Sequence, residues 1–227
     1  MISYPVIKRT GDLFFSILIT VLLFPLLVPI AVLLKFTGEG DIWYFQKRVG
    51  YKNDEFHIWK FATMLRNSPN LLTGSLTLRN DPRVTFMGKY LRATKLNELP
   101  QIINVLKGDM SLVGPRPQME VDYLAYPPDV RKRIYDVKPG ITGIGSIVFR
   151  DEENIISNSG SNPRVFYNDI IAPYKGDLEI WYQEHISFLV DLKLLFLTVL
   201  VLFNPRIKVV RFFKNLPPVP PQLTGYL

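Results

Sequence analysis

Residues 13–34 run LFFSILITVLLFPLLVPIAVLL without a charge, and no other segment constrains the fold as tightly. As a helix this run would reach roughly 33 Å, enough to cross the hydrocarbon core of a bilayer. Soluble cores seldom contain so long an apolar stretch. Pro25 and Pro29 stand inside it. Each lacks an amide N–H, and its ring crowds the carbonyl four residues back, so the sequence predicts a kink or break at Pro25. Lys8, Arg9 and Asp12 precede the run and Lys35 follows it. With basic residues at both ends, the positive-inside rule selects no direction of insertion. A helix that enters the membrane, bends at Pro25 and leaves on the same side fits better than a straight span. The run is longer than the apolar part of a secretion signal, and no small-x-small cleavage site follows it.

The remaining chain is not that of a polytopic transporter: of 227 residues, 21% are charged, and the mean hydropathy is +0.12. There is room for one membrane element and one compact domain. A net charge of +7 beside an apolar anchor predicts attraction to anionic membrane lipid or an anionic substrate. No helix-turn-helix, zinc or RNA-binding signature is present, so nucleic acid is not an expected partner. The absence of cysteine excludes disulfides and thiolate metal sites and suits a cytoplasmic domain.

Residues 42–60 read as extended structure turned at Gly50 and Asn53-Asp54. Residues 66–83 read as a loop or lid, with a helix before Arg92. In NELPQIINVLKGDM, residues Leu99, Ile102, Ile103 and Leu106 form one apolar stripe at helical spacing. Asn97 is the natural N-cap, Glu98 and Pro100 suit the first turn, and Gly108 the C-terminal end. YPPDVRKRIYD reads as a short basic helix, residues 154–164 as a polar loop and residues 165–185 as helical. Residues 186–203 are apolar but interrupted by Asp191 and Lys193, which fits an interfacial or core helix. Residues 204–227, with five prolines, read as a flexible tail along the membrane. The expected class is α+β and helix-rich. It comprises a proline-broken re-entrant helix (residues 1–36), a domain with a small β element and interfacial helices (37–203), and the tail (204–227).

The order of these blocks resembles the monotopic phosphoglycosyl transferases, also called the bacterial sugar transferase family. The resemblance rests on KRTGDLFF with the proline-interrupted helix, FQKRVGYKNDEFHIWKFATM, NDPRVTFMGKYLRATKLNELPQIINVLKGDMSLVGPRP, VKPGITG and ISFLVDLKLLFLT. Together these cover residues 6–200, and NELPQIINVLKGDMSLVGPRP is the block least expected by chance. The resemblance implies an enzyme on the cytoplasmic face of the bacterial inner membrane. It would move a phospho-sugar from a UDP-sugar to polyprenyl phosphate and release UMP, opening exopolysaccharide or lipopolysaccharide biosynthesis. It further implies Mg²⁺, held at Glu98, and a catalytic Asp-Glu pair whose Asp attacks phosphorus. Oligomeric state stays open, a homodimer included.

Here the pair is Asn97-Glu98. A carboxamide is a far poorer nucleophile than a carboxylate, yet Asn and Asp cap helices alike. Glu98 is then expected to act as nucleophile or to orient a one-step transfer. Alternatively, Asp151, Glu152 or Glu153 in FRDEEN, where the chain departs from the family pattern, supplies the missing charge. A third reading is a member that binds nucleotide sugar, polyprenyl phosphate or a partner enzyme without turnover. Arg116, between Pro115 and Pro117, presents a planar fork suited to phosphate or to a structural carboxylate. Lys60, Arg92 and Arg150 match basic positions of the family blocks and complete the expected phosphate-binding set. Asp12 is expected to pair with Lys8 or Arg9 at the headgroup level. His57 and His185, without partners at ligand spacing, are expected to be structural.

Overall fold

The computed structural model describes residues 4–68, 81–204 and 207–227. Most of the 66–83 loop expected from the sequence lies outside these residues. Helix α1 (Tyr4–Lys35) is continuous through Pro25 and Pro29, so Pro25 does not break it. Each proline removes one hydrogen bond from the ladder, and the surrounding turns keep the chain helical. Both ends of α1 lie against the rest of the protein. Asp12 and Ser16 are buried near its start, and Ile30 and Leu34 near its finish. Val21, Leu22 and Phe24, between them, are exposed.

The polar start of α1 does not hang free. Arg9 donates to the carbonyls of Val105 and Leu106, and Asp12 accepts from the Leu112 N–H at 3.1 Å. Lys8 pairs with Asp191, which also accepts from the hydroxyls of Tyr4 and Tyr182. The expected pairing of Asp12 with Lys8 or Arg9 is therefore wrong. Unpaired backbone groups and a buried acid within the protein are the stronger partners.

Strands β1 (Trp43–Val49) and β2 (Glu55–Phe61) form an antiparallel hairpin with Tyr44 opposite Lys60 and Arg48 opposite Phe56. Its turn holds Lys52 and Asn53 at positive φ. Helix α2 (Phe86–Ala93) follows, with Thr85 accepting from the Gly88 N–H. A 3-10 segment (Leu96–Gln101) leads into α3 (Ile102–Lys107), which Gly108 ends at φ 94°. Asn97 thus lies inside the 3-10 turn, buried, and does not cap a helix beginning at Glu98. Glu98 and Pro100 instead occupy a tighter spiral, where Pro100 lacks a donor that an α-helix interior would need.

Strand β3 (Ser111–Val113) pairs in parallel with β4 (Gly140–Thr142). Gly114 and Gly140 approach so closely that a Cβ on either would overlap the other's backbone. Helices α4 (Glu120–Tyr123) and α5 (Pro128–Arg133) lie between these strands in sequence. After β4 come α6 (Ile144–Val148), α7 (Glu152–Ser157), α8 (Pro163–Phe166), a π turn (Tyr167–Ile171), α9 (Ala172–Glu184) and α10 (Phe188–Phe203). Helices α7 and α8 reach into the expected 154–164 loop from both sides. The main core gathers Met110, Ile134, Ile144, Ile171, Leu178 and Leu194. A smaller cluster joins Ile30 and Leu34 of α1 to Phe61 and Leu91.

Helix α10 buries Leu194, Leu197 and Val201 and exposes Leu189, Phe196 and Phe203. Residues 207–227 are not a loose tail. Val209, Leu223 and Leu227 are buried in the main core, and Phe213 packs on Trp181. The apolar members of that proline-rich stretch find a groove to fill, which prolines permit because they lose little entropy on ordering. Among the described residues the architecture is α+β, helix-rich, with two small sheets and one long apolar helix.

Candidate active site

Alternation along the hairpin puts Tyr44, Gln46 and Arg48 of β1 on the same face as Ile58 and Lys60 of β2. The 3-10 segment packs against β2 and brings Glu98 to this face. From the other side comes Arg116. Pro115 and Pro117 fix its backbone, and Tyr135 clamps the turn by donating to the Arg116 carbonyl at 2.9 Å and accepting from the Gln118 N–H at 3.0 Å.

Glu98 is where these segments meet. Arg116 reaches its carboxylate with both terminal nitrogens, at 2.5 and 3.2 Å, and Lys60 Nζ lies 3.3 Å from Oε1. The Glu98 side chain keeps 18% of its surface exposed, so solutes can reach it. Arg48 stands behind, donating to the Pro117 carbonyl and to Gln46. Three cations thus surround one acid.

The charges act on one another strongly. Burial opposes ionisation of Glu98, but Arg116 and Lys60 hold its carboxyl well below the usual range. Burial lowers Lys60, and the nearby Arg48 and Arg116 outweigh enough of the help from Glu98 to leave it at about 7. Glu98 raises Arg116 further above its ordinary value. The site is therefore an ionised carboxylate amid surplus positive charge, one member of which gives up its proton readily. Such a cluster suits multiply charged phosphates, which can replace the internal acid as partners.

The other expected residues divide. Glu152 pairs with buried Lys175 at 2.5 Å, and its charge reaches Arg116. Glu153 pairs with Arg92 at 2.7 Å, which takes Arg92 to α7 and not to Glu98. Arg150 donates to the Ile207 carbonyl and serves the C-terminal segment. Asp151 is exposed at the start of α7. Asn97 is buried with Oδ1 unpartnered, as is Gln101 Nε2. Sequence reasoning missed Arg48, Tyr135 and Lys175. Arg48 was findable, because the period of two in β1 places it on the face that carries Lys60.

Among the described residues, no three or more His, Cys, Asp or Glu side chains gather as a metal cage. Mg²⁺ commonly takes only one or two protein carboxylates and completes its shell with phosphate and water. Glu98, partly exposed and anionic, fits a cation that arrives with phosphates.

A family model described as bacterial sugar transferase matches residues 3–205. The chain is similar to the undecaprenyl-phosphate glucose phosphotransferase of Komagataeibacter xylinus, 35% identical over 199 residues that cover 85% of this chain and 35% of that protein. It is similar to the UDP-glucose:undecaprenyl-phosphate glucose-1-phosphate transferase of Klebsiella pneumoniae, 36% identical over 86% of this chain and 39% of the relative. A third relative, the exopolysaccharide production protein ExoY of Sinorhizobium fredii, is 31% identical over 85% of this chain and 83% of its own length. The chain thus spans well under half the length of the first two relatives and most of the third.

Proposed function

The chain belongs to the bacterial sugar transferase family, and from that premise we propose that it transfers a phospho-sugar from a UDP-sugar to polyprenyl phosphate, releasing UMP. The observation that carries this reading is Glu98 held ionised between Arg116 and Lys60, with Arg48 behind. A nucleotide diphosphate and a lipid phosphate need such a surplus of cations to share one site. The reaction would open surface polysaccharide assembly at the cytoplasmic face of the inner membrane. Exposed apolar faces on α1 and α10 support membrane seating.

Asn97 cannot act as a carboxylate nucleophile. Glu98 has both oxygens engaged by cations and little basicity, which makes it a weak one. The transfer is therefore direct. An oxygen of polyprenyl phosphate attacks the sugar-bearing phosphorus, and the new P–O bond forms as the bond to UMP breaks. The departing charge leaves on UMP. Glu98 orients Arg116 and Lys60 toward the phosphates, and Tyr135 holds the Arg116 turn. Glu98 is the residue that would hold Mg²⁺ in exchange for one of its cationic partners, and the ion would supply positive charge against the phosphates.

The test is UMP release by protein in lipid nanodiscs, over a panel of UDP-sugars. UMP is expected only with both substrates present, and with initial-rate lines that intersect. Parallel lines would indicate a covalent intermediate and overturn the direct route. Glu98→Ala is expected to lower turnover at least about a hundredfold. Asn97 favours a second reading, a member that binds these ligands without turning them over. Activity confined to Asn97→Asp would establish that reading.

A further inference from the structure

Glu179 of α9 is 1% exposed, and neither of its carboxyl oxygens has a partner in hydrogen-bond geometry. A buried carboxyl so poorly satisfied is costly and calls for a reason. Its surroundings supply one. The N–H groups of Arg116 and Gly145 lie close enough to favour its charge. A Cβ at Gly145 would overlap Glu179 Oε1, and one at Gly143 would lie 3.8 Å from Oε2. Glu179 therefore sits directly beneath the backbone of residues 114–117 and the start of α6.

We propose that Glu179 is a positioning residue: its buried carboxyl supports residues 114–117 from below and fixes where the Arg116 guanidinium meets phosphate. Burial pushes this carboxyl up to about 8, against the opposing pull of Lys175. Lys175, one turn earlier on α9, is already paired with Glu152. The other titratable groups that feel Glu179 are Tyr126, Tyr135 and Tyr182, and burial raises all three phenols. Lys175, the cation that acts on Glu179, is shared with Glu152, so ionisation of Glu179 adds negative charge to this cluster. The new negative charge then stands behind the Arg116 turn and weakens anion binding in front of it.

The inference rests on the nucleotide-sugar reading, and UDP is the probe that tests them separately. Calorimetric affinities of the wild type and Glu179→Gln for UDP are compared at pH 7 and pH 9. The two proteins should agree within about twofold at pH 7, and the wild type should be roughly tenfold weaker at pH 9. Any loss caused by Lys60 is common to both proteins and cancels in the ratio. Equal affinities at pH 9 would overturn the role of Glu179 and leave nucleotide binding intact. Failure of both proteins to bind UDP at any pH would remove the underlying reading and the inference with it. Infrared spectroscopy of the wild type gives a check that needs no variant. A buried protonated-carboxyl band should be present at pH 7 and lost by pH 9, and its absence at pH 7 would also overturn the proposal.

Discussion

Lys60 gives the site a proton it can take up. In the free protein burial and the nearby arginines leave it at about 7 despite Glu98, so at pH 8 most molecules hold it neutral. Phosphate oxygens arriving beside it favour the charged form. Binding of UDP at pH 8 is therefore expected to take up a proton, seen as a binding heat that depends on the ionisation enthalpy of the buffer. Because Glu179 is also raised to about 8, the comparison is made in Glu179→Gln: there Lys60→Met should lose that dependence, and a buffer-independent Glu179→Gln protein would refute the assignment. Glu179 predicts a stability effect of definite sign. Burial raises its carboxyl to about 8, whereas an unfolded Glu titrates near 4.3. Between those values the folded protein holds a proton that the unfolded chain has lost, so stability falls as pH rises through this window. Glu179→Gln escapes the loss. Its melting temperature relative to the wild type should rise between pH 5 and pH 8, and a constant difference would contradict the burial argument. Arg116 was legible in the sequence because two prolines flank it, and Lys60 and Glu98 because they sit in family blocks. Arg92 and Arg150 were misplaced because their nearest acceptors, Glu153 and the Ile207 carbonyl, come from segments distant in sequence.

Pattern made the long elements readable: α1 and α10 through their apolar runs and the hairpin through its turn residues, although α3 buries Ile102 and Val105 and leaves Leu106 of the expected stripe half-buried. It failed where elements are too short to show one. Strands β3 and β4 have three residues each, and glycine contacts between Gly114 and Gly140 define them more than alternation does. The cap at Asn97 was misread because Asn, Glu and Pro suit the start of an α-helix and a 3-10 turn equally. The C-terminal segment was misread because its anchors Val209, Leu223 and Leu227 are scattered singly among polar residues and prolines. Tertiary fasteners between α1 and α10 were hidden for a similar reason. Lys8 and Asp191 lie far apart in the chain, yet their side chains are only 16% and 10% exposed. Breaking such a pair from one side leaves a buried charge, so Asp191→Leu should cost about 3 kcal/mol. Lys8→Met combined with Asp191→Leu should recover part of that loss. Thermal unfolding of the four proteins in one detergent measures the coupling, and strict additivity would mean that the pair does not hold α1 in place.

Helix α1 has the length to cross a bilayer, but its contacts favour a different path. Near its start Arg9 and Asp12 are bonded to α3 and β3. Near its end Ile30 and Leu34 pack with Phe61 of β2 and Leu91 of α2. A helix crossing the membrane would carry these two ends to opposite faces, roughly 30 Å apart, and a single domain on one face would have to release one of them. Val21, Leu22 and Phe24 in the middle of α1 face outward, and the residues buried against the domain, Asp12 and Ser16 at one end and Ile30 and Leu34 at the other, lie toward its ends. The apolar face of α10, with Leu189, Phe196 and Phe203, adds a second surface for lipid. The topology expected from these contacts keeps both ends of α1 on the same face of the membrane. A surplus of basic residues, +7 overall, suits that face when its lipids are anionic. Because the chain has no cysteine, single replacements report topology cleanly. Thr10→Cys and Lys35→Cys, at exposed positions on either side of the apolar run, should both react with a membrane-impermeant maleimide in inverted inner-membrane vesicles. Both should stay unlabelled in intact spheroplasts. Labelling of one position in each preparation would place the two ends on opposite faces, and α1 could not then keep both its bonds to α3 and β3 and its packing on Phe61 and Leu91.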